Sequence, residues 1–295
     1  MLVDVGASGD MNGRWKQLAP YAVCICFDPD EREFNVHNVK DSGFKKLIKV
    51  NRAVVCDENG ITKFYLTRSP YCSSTLKPLA NQLKPWLFKS YFDVIDEVNV
   101  STTTLENALC AAGVTNIDWL KLDTQGTDLR LYTYLPKVFK QSILAIEFEP
   151  GIIDGYSGED KLFQVLEMLP HDNFWLCSMT VKGSRRIDED YLPEYGDGNI
   201  GRAVPESPGW AELTYLKNSI AGVRESLLLF VFAVINKQFG FALEVCNEQI
   251  GKVDEPLFVE ARDYVLDYLK NQNLKQTSLK KRLRNYLIRL LKSDE

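Results

Sequence analysis

Residues 1–10 read MLVDVGASGD: a short apolar run holding one carboxylate, Asp4, that breaks at once into the turn Gly6-Ala7-Ser8-Gly9. Gly6 and Gly9 permit backbone conformations and a close ligand approach that a side chain would block, and the turn after a first strand is where α/β folds hold nucleotides. The pattern is D-x-G-x-x-G and not G-x-G-x-x-G. The glycines that admit a pyrophosphate are therefore only partly present, which weakens a dehydrogenase reading. A strand-to-helix turn with no ligand would use the same residues, so the neighbouring segments have to decide.

Outward from that turn, apolar runs alternate with amphipathic ones. YAVCICF predicts a second strand over 21–27, stopped by Asp28 and Pro29, and LIKVNRAVV a third over 47–55. DENG offers a turn into the alternating ITKFYLT, so residues 47–67 read as a hairpin. STTTLENALCAAGV carries hydroxyl caps before apolar residues at helical spacing, with Gly113 as its stop. Strands are predicted over 118–122, 143–148 and, from FWLCSMTV and AELTYLK, over 174–181 and 211–217. The fold class expected is α/β with a doubly wound, mostly parallel sheet over residues 1–217, and a helical C-terminal appendage over 218–295.

In such sheets ligands sit beyond the carboxyl ends of the strands, and an acidic residue ending the second strand commonly binds ribose hydroxyls. Asp28 stands there, some twenty residues past the glycine turn. Alternatively it is a solvated turn residue of DPD.

Composition narrows the class. The 295 residues are 45% hydrophobic and 25% charged, ample for a core, and the net charge of -5 argues against a nucleic-acid binder. Seven scattered cysteines point to reduced core thiols and a cytoplasmic location, and Cys24-Ile25-Cys26 with only His37 and His171 in the chain makes a poor zinc site, so no metal ligands are assigned. The longest apolar run, 227–235, is too short to span a bilayer.

The segments VDVGASGD, CFDPDEREF, TTTLENAL, IDWLKLDTQGTDLRLY and ILAIEFEPGI together resemble the FkbM family of S-adenosylmethionine-dependent methyltransferases over about residues 2–170. LKLDTQGTDL is the most specific of these blocks. The resemblance implies a class I methyltransferase sheet, Rossmann-like with its last strand antiparallel, which AELTYLK would supply. Carried over, Asp4, Gly6, Ala7, Ser8 and Gly9 would hug the methionine part of S-adenosylmethionine, Asp28 with Pro29 would hold the ribose, and Asp123 would line the pocket near the methyl. Residues 55–64 would contact the adenine, and YCSSTL, 71–76, resembles the family's serine-containing loop over the site. Ser8 replaces the family's usual asparagine, and Asp28 stands where glutamate is common. The family's usual segment ahead of the first strand, which covers the site, is not in this sequence, so either the start is internal or truncated, or the C-terminal helices or another subunit of a homo-oligomer are expected to supply the cover.

A sulfonium methyl is already activated, so the protein has to align the acceptor, exclude water and manage one proton. Carboxylates are the stronger base candidates. Glu147 and Glu149 alternate onto one face of their strand, and Glu149, nearer its end, is the favoured partner of Asp123. Either a carboxyl of raised pKa takes the acceptor's proton or these oxygens hold Mg2+; alternatively Glu147 and Glu149 pair with Lys121 or Arg130. His171, in the loop LPHDNF, is a further base candidate; His37 reads as surface.

Residues 274–292, LKQTSLKKRLRNYLIRLLK, hold seven basic and no acidic residues with leucines at helical spacing. Such a helix suits a peripheral membrane contact, an acidic protein partner, or packing on the acidic remainder of the chain. The leading expectation is O-methylation of a hydroxyl on a sugar, glycan or secondary metabolite, a substrate class that only the resemblance implies. The alternatives are a non-catalytic scaffold that keeps the fold and a nicotinamide-dependent oxidoreductase.

Overall fold

The structure is a computed structural model that describes residues 1–9, 12–35, 43–57, 59–192, 202–220, 222–253 and 256–271. The basic segment 274–292 and His37 lie outside the described residues.

Seven strands form the main sheet: β1 (Leu2–Val5), β2 (Val23–Phe27), β3 (Lys46–Val50), β7 (Trp119–Leu122), β8 (Ala145–Phe148), β9 (Phe174–Arg185) and β10 (Glu206–Lys217), in the order β3-β2-β1-β7-β8-β10-β9. The first five run parallel in that order, and β10, the last in sequence, lies antiparallel between β8 and β9. The α/β class, the mostly parallel sheet and the antiparallel last strand are as the sequence led us to expect. Strand order reverses between β1, whose chain moves outward to β2 and β3, and β7, which continues to β8 on the other side. That reversal places a crevice at the carboxyl ends of β1 and β7.

Alternation along each strand builds two cores. Val3, Val5, Ile25, Phe27, Leu120, Leu122, Ile146 and Phe148 face one side, where α2 (Leu105–Ala111), α3 (Asp128–Tyr134), α4 (Lys137–Ser142) and α5 (Leu162–Met168) cover them with Leu109, Leu129, Tyr132, Phe139 and Val165. Leu2, Cys24, Cys26, Trp119 and Ala145 face the other, beneath α6 (Val223–Ile235), α7 (Phe239–Gln249) and α8 (Pro256–Lys270). Helix α6 buries nine consecutive residues, Ser226 to Val234, because the sheet lies on one side of it and α7 on the other. The described helices after residue 217 pack on the sheet as its second covering layer.

One segment departs from its sequence reading. The run 47–55 is two strands in two sheets: β3 ends at Val50, the chain turns at Asn51, whose side-chain amide donates to Asp28 O (3.1 Å), and β4 (Ala53–Val55) leaves the main sheet. The hairpin expected over 47–67 is also corrected. The long strand β6 (Val94–Thr104) pairs antiparallel with β5 (Ile61–Thr67) and parallel with β4, giving the order β4-β6-β5. A partner distant in sequence therefore displaced the local pairing that the DENG turn suggested. This small sheet, the single-turn helix α1 (Ala80–Leu83) and their loops fold back over the carboxyl ends of the main strands.

Candidate functional site

A cleft of about 530 Å³ opens at the strand-order reversal, within the size range of small-molecule sites. Its floor is the set of strand ends: Gly6 and Ser8 after β1, Asp28 and Pro29 after β2, Asp123 after β7 and Glu149 after β8. Its roof is the 51–104 excursion, through Phe64, Tyr71, Cys72 and Ser73 among others.

At the β1 and β2 ends the geometry is tight. Gly6 N and Ala7 N both donate to Phe27 O, at 2.9 and 3.0 Å, which folds the turn across β2. Gly6 has φ +82°, and a Cβ there would overlap the backbone carbonyl of Asp123. That glycine is thus required by the approach of β1 to β7, whatever the cleft holds. The Asp28 carboxylate accepts from Ser8 Oγ (2.9 Å) and from Asp30 N (2.7 Å). It is buried, and that burial pushes its pKa up to about 6 even though both hydrogen bonds favour the charged form.

At the other end Asp123 and Glu149 meet. Burial first, then the neighbouring Asp123 charge and their shared hydrogen bond, push the Glu149 carboxyl far above its ordinary value, so Glu149 carries a proton at neutral pH. Trp210 Nε1 donates to Glu149 Oε1 (2.7 Å), Gln125 Nε2 to Asp123 Oδ1 (2.8 Å), and Lys121 Nζ lies 3.3 Å from both Asp123 Oδ2 and Asp4 Oδ1. Burial works against the Lys121 ammonium, but Asp4 and Asp123 hold its pKa well above the ordinary value.

The LDTQGTDL block owes much of its character to architecture. Gln125 at φ +58° and Gly126 at φ +111° turn the chain. Buried Asp128 accepts from Thr124 N (2.7 Å) and Glu149 N (3.0 Å), tying the ends of β7 and β8 together. Opposite, the 71–76 loop is clamped down: Arg32 pairs with Asp30 and donates to Thr67 O (2.7 Å) and Ser73 Oγ (2.8 Å), while Ser74 Oγ donates to Gln125 O (2.9 Å).

Of the residues expected at the site, Gly6, Ser8, Asp28, Pro29, Asp123 and Glu149 line the cleft together. Asp4 points to the sheet face that α6 covers and reaches the site only through Lys121; Ala7 and Gly9 are outside the lining, and Gly9 packs against the Tyr71 ring. His171 is not brought to the site. It is exposed, three residues before β9 begins at Phe174, which is in register with Lys217 at the end of the sheet opposite the cleft. Glu147 is a structural acid: it pairs with Arg14 and accepts from Asn12 Nδ2 (3.0 Å) and Trp119 Nε1 (2.8 Å). The alternative pairing with Arg130 does not occur, since Arg130 pairs with Asp160 (2.8 Å). Among the described residues of 55–64 only Phe64 lines the cleft, joined by Arg52, Ala53 and Val54 from just before that range.

Sequence reading missed the aromatic wall beside Glu149. Phe88 meets Trp210 edge-on (6.1 Å between ring centroids) and Phe92 at 5.3 Å, and Phe92 meets Tyr156 at 5.6 Å. The Tyr156 hydroxyl donates to Cys72 O (2.8 Å) and lies 3.1 Å from Gln125 Oε1. These residues come from widely separated segments, and the cluster FKSYF over 88–92 was their single local signal.

Among the described residues no group of three or more His, Cys, Asp or Glu side chains is arranged to hold a metal ion, and no helix is long and apolar enough to cross a membrane. Comparison with protein-family models, with curated proteins and with solved structures finds no match to this chain.

Proposed function

We propose that this chain binds S-adenosylmethionine in the cleft and methylates an acceptor hydroxyl beside Glu149. The observation that carries the reading is the placement of Asp28 and the Asp123–Glu149 pair at opposite ends of one cleft, across the strand-order reversal. From β2 to β8 is three strand steps, about 14 Å, enough for an extended nucleoside with its amino-acid arm. The donor set suits that ligand. A buried carboxylate stands where a ribose diol would sit, Val54 and Phe64 offer an apolar slot for a flat base, and the Asp123 and Glu149 carboxyls line the end of the cleft where a sulfonium would sit.

When bound, S-adenosylmethionine supplies a methyl group activated by positive sulfur. The chain's own part is alignment and proton handling. The Asp123–Glu149 pair would hold the acceptor hydroxyl by hydrogen bonding, facing the activated methyl, and would take up the hydroxyl proton as the methyl is transferred. Trp210 and Gln125 fix the two carboxyls in place, and the clamped 71–76 loop with the aromatic wall keeps water out.

The nicotinamide alternative has less to stand on. A dinucleotide site uses the N-terminus of a helix after β1, and the described segments between β1 and β2 form only two short 3-10 turns, Gly13–Gln17 and Ala19–Tyr21. Calorimetric titration separates the readings. Micromolar binding of S-adenosylmethionine and S-adenosylhomocysteine with no binding of NAD supports the proposal. Binding without methyl transfer to any hydroxylated acceptor favours the scaffold, and NAD binding overturns the reading.

A further inference from the structure

The half of the cleft beyond Glu149 is walled by Leu83, Leu87, Phe88, Tyr91, Phe92 and Trp210. Two of these rings are rigidly set: Phe88 stacks on Trp86 at 5.7 Å with 10° between the planes, and Trp210 is held by its bond to Glu149. The amide and charged side chains on this side are already committed. Gln125 serves Asp123 and Tyr156; Glu159 Oε1 accepts from Gly155 N (2.6 Å), Tyr156 N (3.2 Å) and Lys161 Nζ (2.7 Å); one Glu149 oxygen accepts from Trp210.

A buried hydroxyl without a partner is costly, and apart from the Tyr91 and Ser184 hydroxyls the side chains of this chamber offer little to a polyhydroxylated ring. A flat apolar body meets the opposite case: it gains ring contacts on Phe88 and Trp210, and has one polar group to place, which the Asp123–Glu149 pair receives. Resting on the methyltransferase reading, we infer that the acceptor is an aryl alcohol, a planar aromatic molecule whose single reacting hydroxyl points at Glu149 while its ring lies against the wall that Phe88 and Trp210 form together. The chemistry agrees. An aryl hydroxyl, with a pKa near 10 like that of tyrosine, gives up its proton to a neighbouring base far more readily than a sugar hydroxyl does.

The experiment uses the full chain, with 2-naphthol as the aryl probe and methyl α-glucoside as the sugar probe. Binding of each is measured by calorimetry with and without S-adenosylhomocysteine, and methyl transfer is followed from radiolabelled S-adenosylmethionine. The expected result is 2-naphthol binding that Phe88→Ala weakens at least tenfold and Tyr91→Ala several-fold, with methylation of 2-naphthol at least a hundredfold faster than of the glucoside. Tyr91 is 57% exposed, so its variant keeps the measurement interpretable if Phe88→Ala fails to fold. S-adenosylhomocysteine binding without 2-naphthol binding, or faster methylation of the glucoside, overturns the inference and leaves the cofactor reading standing. If S-adenosylhomocysteine does not bind but 2-naphthol does, with both variants weakened, the cofactor reading falls and the aromatic site stands.

Discussion

Burial holds Asp28 as a carboxylate only at a cost, and the sign of that cost can be worked out. Its folded pKa of about 6 lies above the ordinary 3.8, so the folded state binds the extra proton between those values and stability falls as pH rises through that window, with the full penalty present above it. Asp28→Asn keeps the contacts to Ser8 and Asp30 N without the charge. The variant should be more stable than the parent at pH 7.5 by roughly 1–3 kcal/mol, the advantage vanishing near pH 4, while losing at least tenfold in affinity for S-adenosylhomocysteine. Thermal melts at the two pH values and a titration check both halves. A variant that melts like the parent and binds like it removes Asp28 from the site. Gly6 calls for the opposite caution: Gly6→Ala must drive a Cβ into Asp123 O at a positive φ, and should cost on the order of 3 kcal/mol or more, read as a lowered melting temperature with or without ligand. The Asp123–Glu149 pair gives a third expectation. A sulfonium beside it favours loss of the Glu149 proton, so S-adenosylmethionine binding should release a proton and tighten relative to S-adenosylhomocysteine as pH rises from 6 to 9. Calorimetry in buffers of different ionisation enthalpy reads that proton directly, and a pH-independent affinity ratio would sink the assignment.

Among the elements, the roof loop depends on one side chain. Arg32 spans from Asp30 to Thr67 O and Ser73 Oγ, and Ser73 Oγ in turn accepts from Thr67 N (3.1 Å). Arg32→Ala should leave the sheet intact but speed hydrogen exchange at the Thr67, Cys72 and Ser73 amides, with about a tenfold loss of S-adenosylhomocysteine affinity. Unchanged exchange in that loop would mean that the clamp is redundant. The same scale explains what the sequence could and could not tell. Asp28, Asp123 and Glu149 were legible because each follows a short apolar run bounded by turn residues, and strand ends in a parallel sheet fall on one side. The 47–67 hairpin misled because β6 begins some forty residues later and offers both its edges, a pairing no local pattern records. His171 looked like a base candidate for its residue type, yet the antiparallel return of β10 sends the start of β9 to the far end of the sheet. The aromatic wall was hidden for a like reason: Phe88, Tyr156 and Trp210 meet only after three loops have folded back.

For the molecule as a whole, α6 is the element on which the second core closes. Phe232 meets Trp119 edge-on at 4.8 Å, and Trp119 also meets Trp15 at 6.1 Å, so one aromatic column joins helix, central strand and the turn after β1. Phe232→Ala should cost about 3–5 kcal/mol, seen as a drop in melting temperature, with little change in S-adenosylhomocysteine affinity because the cleft lies beyond the strand ends. A loss of affinity out of proportion to stability would instead mean that the column positions the turn at Gly6. The insertion of β10 between β8 and β9 also bears on how the chain is made. During synthesis the outer edge of β8 has no hydrogen-bonding neighbour until the ribosome has delivered residues 206–217. At ordinary elongation rates the roughly 70 residues from Phe148 to Lys217 take about 4–14 s, during which a nascent, half-built sheet presents an open edge to other chains. A ribosome-bound intermediate halted in that window should be the species that chaperones hold and that aggregates when they are absent.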